Sequence, residues 1–498
     1  MIVRGKRFTK GYRFHNFEGA PEERLVELAL PSEVIIPLRQ GFGDEVPSAV
    51  KKGDTVKAGQ IIGVGEDTVS NPVHATVNGT VEDFRSLPYL HGDTNAVVIR
   101  SDGSADWQPV DDGGAWTELS EEALERRLYL SGVTSLGRSG IPTRFGSSII
   151  GPEDVEHIII QGIGTDVFNT TFSVLFENNG VHRLVEGVKV LKRIMPKATV
   201  HIAFDRSNMR LLKQVDEALS GIDGLKSYPL QARFPQECDE VIVPTILNRP
   251  YPYGYLPAHL GVIVLNVQAV MHCFEAAAEK KPLINGVVAL CGRGFKENHY
   301  ASLRVGSQIQ YVQDLVEDDT DVRFVYNNLL TGFTCTDMNL PLDRTCNSIT
   351  ALPERQFGGF MSFAAPGFKK DSHTKTFVAS FVPFRKSLDT NTHGEERPCI
   401  FCGYCEDVCP VGIIPHLIFH NVERDKVEEH LAAYKIFNCM DCNLCTYVCP
   451  SKIPVASYVR DGKDKLREMG IDKSTVILPA FQLKGVEISN VTEEDTDS

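Results

Sequence analysis

Eight of the thirteen cysteines fall in two runs near the C-terminal end of the chain. Cys399, Cys402, Cys405 and Cys409, the last followed by Pro410, make one C-x2-C-x2-C-x3-C-P run; Cys439, Cys442, Cys445 and Cys449, followed by Pro450, make a second. A tight loop offering three thiolates, each two residues from the next, can bind three irons of one cube of iron and sulfide. The fourth cysteine, set off by a proline that turns the chain, then reaches the neighbouring cube. The spacing predicts two [4Fe-4S] clusters, one on Cys399, Cys402, Cys405 and Cys449, the other on Cys439, Cys442, Cys445 and Cys409. The chemistry is one-electron transfer. Structural zinc takes four ligands per site and has no use for a third cysteine and a proline repeated at fixed offsets.

Positioning these loops falls to the spacer, 411–438, where Ile414, Leu417, Ile418, Val422, Val427, Leu431 and Tyr434 predict two helices. So long a helical insert suits an all-helical ferredoxin module better than the compact type. Ile400, Phe401, Ile413 and Val448 are expected to shield the sulfides from water, since burial and hydrogen bonding tune the potential. The other five cysteines, Cys238, Cys273, Cys291, Cys335 and Cys346, read as small buried hydrophobes. His74, His272, His393, His416 and His420 read as surface or structural residues, because cysteine already fills the ligand sets.

Upstream, residues 31–84 alternate apolar and turn residues through VKKGDTVKAGQIIG and VHATVNGTV, a string of short strands. The two halves resemble the barrel-sandwich module of biotinyl and lipoyl carriers, without a lysine in the intervening VGEDTVSNP. From 151 to about 230 strands and helices alternate: Ile158–Ile160, a helix over Val181–Met195, then Thr199–Ala203. The pattern continues through VIVLNVQAVMHCFEAAAEKKP, and short strands return between 282 and 316. Ser131–Thr143, SGVTSLGRSGIPT, is a glycine-containing loop of the sort that lets a backbone approach a phosphate.

Fifty-one Lys and Arg against 65 Asp and Glu give a net charge of −14 and no basic tract, which argues against nucleic acid as a partner. The most apolar stretch, 260–278, is broken by Asn266, Gln268, His272 and Glu275 and falls short of the roughly 20 apolar residues that span a bilayer. The N-terminus carries no apolar segment with a cleavage site, so the expected location is cytoplasmic, where cysteines stay reduced.

In its order of segments the chain resembles the C subunit of the Rnf ferredoxin:NAD oxidoreductase complex, which is related to the flavin-bearing subunit of respiratory complex I. The last third, through GGFMSFAAPGFKKDSHTKTF (358–377), NTHGEERP (391–398), IIPHL (413–417) and CTYVCPSK (445–452), is similar to the A subunit of the sodium-translocating NADH:quinone reductase. That subunit usually lacks the cluster cysteines and binds quinone; this chain keeps all eight cysteines. The resemblance implies a multidomain α/β protein: a barrel-sandwich hybrid at 25–110, a complex-I-flavin-subunit-like α/β domain at 120–255 and a β-grasp-like (SLBB-type) domain at 256–320. A mixed connecting domain at 321–390, a dicluster ferredoxin module at 391–475 and a disordered tail at 486–498 would follow.

The same resemblance implies FMN, NADH and quinone as candidate ligands, with Gly137 and Gly140 against the FMN. Arg138 stands where the pattern G-L-G-G-A-G-F-P-T has glycine, and Gln161–Asp166 replaces an acidic N-G-A-E-x-E-P stretch. The expected function is that of an electron-transfer subunit, peripheral on the inner face of the cell membrane. Its partners would be membrane-embedded subunits and soluble ferredoxin or NADH. A stand-alone FMN-dependent NADH dehydrogenase and a quinone-binding or assembly scaffold with structural clusters are the competing readings.

Overall fold

Turn residues cut the N-terminal part into short strands, and the direction each apolar side chain points decides what the strands pack on. This computed structural model describes residues 8–41, 44–65, 70–89, 92–134, 154–168, 172–177, 179–317, 321–354, 371–373, 385–388, 396–428 and 430–471. Strand β1 (Glu22–Glu27) pairs far along the chain. Then come β2 (Glu33–Pro37), β3 (Thr55–Val56), a ribbon of β4 (Ile61–Gly63) with β5 (Val73–His74), and the long hairpin of β6 (Gly79–Tyr89) and β7 (Gly92–Ser101). The sheet order is β2-β7-β6-β3, all antiparallel.

Val34, Ile36, Ile62, Val81, Val97 and Ile99 fill the core of this module. Ile35 and Val98 point the other way and are buried with Leu87 and Ala96, and the Ile35 amide donates across to the Gly306 carbonyl (2.9 Å). Burial of each such side chain contributes about 1.5–3 kcal/mol. The barrel-sandwich is thereby fixed to the rest of the molecule as well as to itself.

Four parallel strands follow: β8 (His157–Gly162), β9 (Thr199–Asp205), β10 (Leu225–Leu230) and β11 (Val262–Asn266), in the order β10-β9-β8-β11. Alternation along β8 serves two layers. Ile158 and Ile160 pack on Leu184, Val188 and Leu191 of helix Gly180–Ile194, while Ile159 packs with Ile242 and Val243 of helix Asp239–Leu247. The chain steps from β8 outward to β10 and returns to β11 on the opposite side of β8. The order therefore reverses between β8 and β11, leaving a crevice beyond their carboxyl ends, where α/β sheets bind ligands. Because β11 pairs residue for residue with β8, this layer runs past 255 and takes in the following helix, Val267–Phe274.

A mixed sheet comes next: β12 (Asn285–Cys291), β13 (His299–Arg304), β14 (Val322–Tyr326), β15 (Phe333–Cys335) and β16 (Ser348–Pro353) join β1 in the order β1-β13-β12-β16-β14-β15. Leu290, Leu303, Ile309, Phe324, Tyr326 and Ile349 share one core, so the sheet does not stop at 320 and the strands of 322–353 belong with those of 285–304. The C-terminal module is helical. Helix Pro415–Glu423 packs on helix Val455–Glu468 through Ile418, Phe419, Val422, Val459 and Leu466. The spacer's second helix is a single turn, His430–Ala433, closed off by Asp425 and Lys435, both at positive φ. Residues 472–498, including the acidic tail, lie outside the described residues.

Candidate metal centres and the cleft beside them

The two cysteine runs are offset by 40 residues (439 − 399), and the backbone repeats with them. Phe401 and Asp441, Gly403 and Asn443, and Gly412 and Lys452 all sit at positive φ, between 51° and 77°. Each pair occupies the same place in its run. Left-handed residues between the cysteines curl each loop so that its three thiols turn inward; Gly, Asn and Asp tolerate this conformation, whereas Phe and Lys adopt it at a cost of about 1–2 kcal/mol. The fourth cysteine of each run follows a one-turn helix, Tyr404–Asp407 or Leu444–Tyr447.

Cys399, Cys402, Cys405 and Cys449 line one chamber, walled by Ile453, Val455 and Phe419. Cys409, Cys439, Cys442 and Cys445 line a second, walled by Ile413, Leu444 and Val459. Each chamber thus takes three thiols from one run and the last thiol of the other. The chambers adjoin, since Cys405 acts electrostatically on Cys445. Among the described residues no three His, Cys, Asp or Glu side chains close on a point where a single ion would sit. The thiols of each set line one small apolar chamber, three from one run and one from the other, the sharing that twin ferredoxin runs use for two clusters.

Burial pushes the Cys405 and Cys442 thiols up to about 12 and Cys439 to about 11, and raises Cys445, Cys409 and Cys449 as well. Neutral thiols are what an apolar wall dictates; a positively charged group in the chamber converts them to thiolates. Two features work against the burial. Backbone amides of Val411, Gly412 and Ile413 donate toward Cys409, and those of Ser451 and Ile453 toward Cys449, again 40 residues apart. Lys463, a buried lysine on helix Val455–Glu468, donates to the Cys439 carbonyl and to Asp441 Oδ2, both at 2.7 Å, and so holds the second loop. The first loop has His416 instead, its Nδ1 3.9 Å from both Cys405 Sγ and Glu406 Oε2.

Ile413 and Val448 are buried, as shielding requires; Ile400 and Phe401 line the outer wall of the first chamber but are themselves 66% and 63% exposed, so this chamber is covered on that side by side chains that stand in water. Positive φ at Phe401 turns its side chain outward onto His420, with ring centroids 4.7 Å apart. Of the five scattered cysteines, Cys273, Cys291, Cys335 and Cys346 are buried. His272 and His74 are buried in the interior. Gly137, Gly140 and His393 lie outside the described residues.

Sequence reasoning missed the crevice between β8 and β11. It is the mouth of a cleft of about 820 Å³, a volume in the range of small-molecule sites. Its wall includes Gln161, Thr165, Asp166 and Asn266 from the strand ends, and Asn327 and Thr334 from the mixed sheet. Thr165 Oγ1 is buried without a partner in that wall. Met440 and Cys442 line this cleft and the second chamber alike, so one of its walls is a cluster loop.

Comparison with known proteins assigns the segments. Residues 6–104 match the RnfC barrel sandwich hybrid domain, 129–275 the Nuo51 FMN-binding domain and 398–453 a 4Fe-4S dicluster domain. The chain is 24% identical over 471 residues to the C subunit of the proton-translocating ferredoxin:NAD(+) oxidoreductase complex of Clostridium ljungdahlii, covering 93% of this chain and 95% of that one. Its relatives are C subunits of ion-translocating oxidoreductases. The C subunit of the ion-translocating oxidoreductase complex of Pseudomonas aeruginosa is 26% identical over 450 residues, 89% of this chain but only 53% of the relative, so this chain spans about half its length. An NAD+-reducing [NiFe]-hydrogenase in the H2-reduced state shares 14% identity with a TM-score of 0.42 over 75% of this chain and 66% of that one, too distant to carry a functional argument. The chain is therefore a multidomain protein with a barrel-sandwich, a Nuo51-type domain and a dicluster domain for two [4Fe-4S] clusters. The Nuo51 match includes β11, in keeping with the sheet. No helix among the described residues is long and apolar enough to cross a membrane.

Proposed function

We propose that the chain is the electron-transferring C-type subunit of a membrane ion-translocating oxidoreductase, peripheral on the inner face of the membrane and docked on membrane-embedded subunits. In this reading Cys399, Cys402, Cys405 and Cys449 hold one [4Fe-4S] cluster, and Cys439, Cys442, Cys445 and Cys409 the other. The observation that carries it is the pair of adjoining chambers, each with three thiols of one run and the last of the other. A bound [4Fe-4S] cluster accepts and releases one electron at a time. The chain's own residues hold the sulfurs in place, aim backbone amides at Cys409 and Cys449, and exclude water with Ile413, Val448, Ile453 and Val459.

In this reading the cleft between β8 and β11 would hold FMN, the ligand the matched Nuo51 domain is named for, and NADH would reach the flavin through the same cleft. The buried and unpartnered Thr165 hydroxyl is a polar atom available there, while the amides of Gln161 and Asn327 are held on the Ile163 and Thr345 carbonyls. The β-grasp-like (SLBB-type) domain expected at 256–320 would correspond to the part of the mixed sheet built from β12 and β13. The likeness of the last third to the sodium-pump A subunit leaves quinone as a further candidate ligand and sodium as a candidate ion.

The test is cofactor content. Purified without air, the protein should hold about eight iron and about eight acid-labile sulfide, the content of two cubes. A colourless protein with zinc in place of iron would end this reading.

A further inference from the structure

The twin cluster loops share a backbone but not an environment. Met440 and Asp441 of the second loop are partly buried, and Met440 helps to wall the cleft. Their counterparts 40 residues earlier, Ile400 and Phe401, are 66% and 63% exposed, the two most exposed large apolar side chains among the described residues. Cys402, next in the chain, is itself exposed. The pair walls the first chamber, yet its outer side stands in water beside an exposed thiol, an apolar patch that another surface is suited to cover.

The surroundings say what kind of surface. Phe401 lies flat on His420 and edge-on to His416, and these carry Glu423 (3.5 Å) and Glu406 (3.9 Å) at the border of the patch. Beyond Phe419, which packs on Tyr458, the field at Tyr458 comes from Glu396, Glu423 and Asp461, all exposed. Two cations stand at the border of the patch, Arg397 on the loop's own flank and Lys10, whose Nζ donates to the Glu406 carbonyl (3.1 Å), against the four carboxylates of Glu396, Glu406, Glu423 and Asp461. An apolar centre with a mainly acidic rim, over one end of an electron path, complements a protein with an apolar centre and a basic rim.

Building on the cluster assignment above, we propose that the Ile400–Phe401 face is the docking surface for a redox protein whose one-electron centre lies behind a basic rim. Electrons leave or reach the first chamber there, and the second chamber faces inward to the cleft.

Cytochrome c, a small basic haem protein, is the probe. With the clusters reduced by dithionite and excess reductant removed, one electron passes from the protein to each ferric haem, giving ferrous haem, and no bond is made or broken. The oxidation is followed by stopped flow, against a small neutral quinone as a control that needs no docking. The paired change Ile400→Ser with Phe401→Ser should lower the second-order rate with cytochrome c about tenfold, and Glu423→Gln, a change on the helix surface, should lower it several-fold and flatten its fall with salt. The quinone rates should stay within about twofold, as only protein docking is strengthened by steering. Unchanged cytochrome c rates in variants that keep their iron and sulfide would overturn the surface and leave the cluster reading standing. A wild-type protein without iron and sulfide would instead remove the cluster reading, and this inference with it.

Discussion

Swapping the last cysteine between runs is the residue-level feature with the sharpest consequence. Cys409 lies in the first run by sequence but in the second chamber by position, with Cys439, Cys442 and Cys445. Cys409→Ser should therefore strip the cluster of the second loop and leave that of the first, with iron falling from about eight to about four. Iron analysis together with electron paramagnetic resonance of the reduced protein checks this, and loss of the first-loop signal would contradict it. Away from the cysteines, His74 and His272 are buried and held neutral. Burial, then the Arg344 cation, pushes His74 down to about 3; burial pushes His272 down to about 4 against the opposing pull of Glu275. The unfolded chain takes up these protons near 6.5, so below that pH it binds more protons than the native state. Stability is thus fully present above 6.5 and is lost as pH falls toward 4, with a slope approaching about 1.4 kcal/mol per pH unit for each histidine. From pH 7 to 5 the denaturation midpoint of His272→Leu should fall less steeply than that of the wild type; parallel curves would show that this histidine does not set the slope.

At the scale of elements, the N-terminal strap, residues 8–17, joins the α/β layer to the dicluster module. The Gly11 amide donates to the Val408 carbonyl (3.0 Å), Tyr12 and Phe234 exchange backbone hydrogen bonds, and Lys10 Nζ donates to the Glu406 carbonyl (3.1 Å). Phe14, 1% exposed, stands among Tyr12, Phe17, Phe234 and Tyr447 with centroids 5.0–6.1 Å away. The Tyr12 and Tyr447 hydroxyls both donate to Asp371 Oδ2 at 2.7 Å, and Lys386 pairs with the other carboxylate oxygen. Phe14→Ala should cost about 3–5 kcal/mol. Because the strap is bonded to the first run, the loss should appear in bleaching of the cluster absorbance as well as in circular dichroism, and cluster absorbance outlasting the fold would contradict the coupling. None of this shows in the sequence, since YRFHNF has no period and its partners lie hundreds of residues away. The cluster loops are legible for the opposite reason: metal ligation fixes residue type and spacing locally. The strand-helix pattern continues through β11 and its helix, whereas the boundary at 255 that the resemblance implies cuts them off, and the pairing of β11 with β8 puts them in the α/β layer.

Across the whole molecule the functional features fall in line. The cleft at the reversal of the parallel sheet shares Met440 and Cys442 with the second chamber, the second chamber adjoins the first, and the first ends at the exposed Ile400–Phe401 face. Three domains that differ in fold are needed to make that line, because the mixed sheet supplies the far wall of the cleft and the strap holds the dicluster module against the near one. A block at the cleft should then stop electrons that come through it and spare those that do not. Thr334, exposed on edge strand β15 in the cleft wall, can become Trp without disturbing a core, so Thr334→Trp fills the cleft and leaves both chambers as they are. With FMN bound, NADH should bleach the clusters of the wild type, and the variant should do so at least about tenfold more slowly, the equivalent of about 1.4 kcal/mol on the barrier. Reduction by dithionite and re-oxidation by cytochrome c should run at wild-type rates in the same variant. Equal slowing of both routes would mean that cleft and clusters are not in series, while an unaffected NADH route would place the hydride acceptor elsewhere than at the β8–β11 crevice.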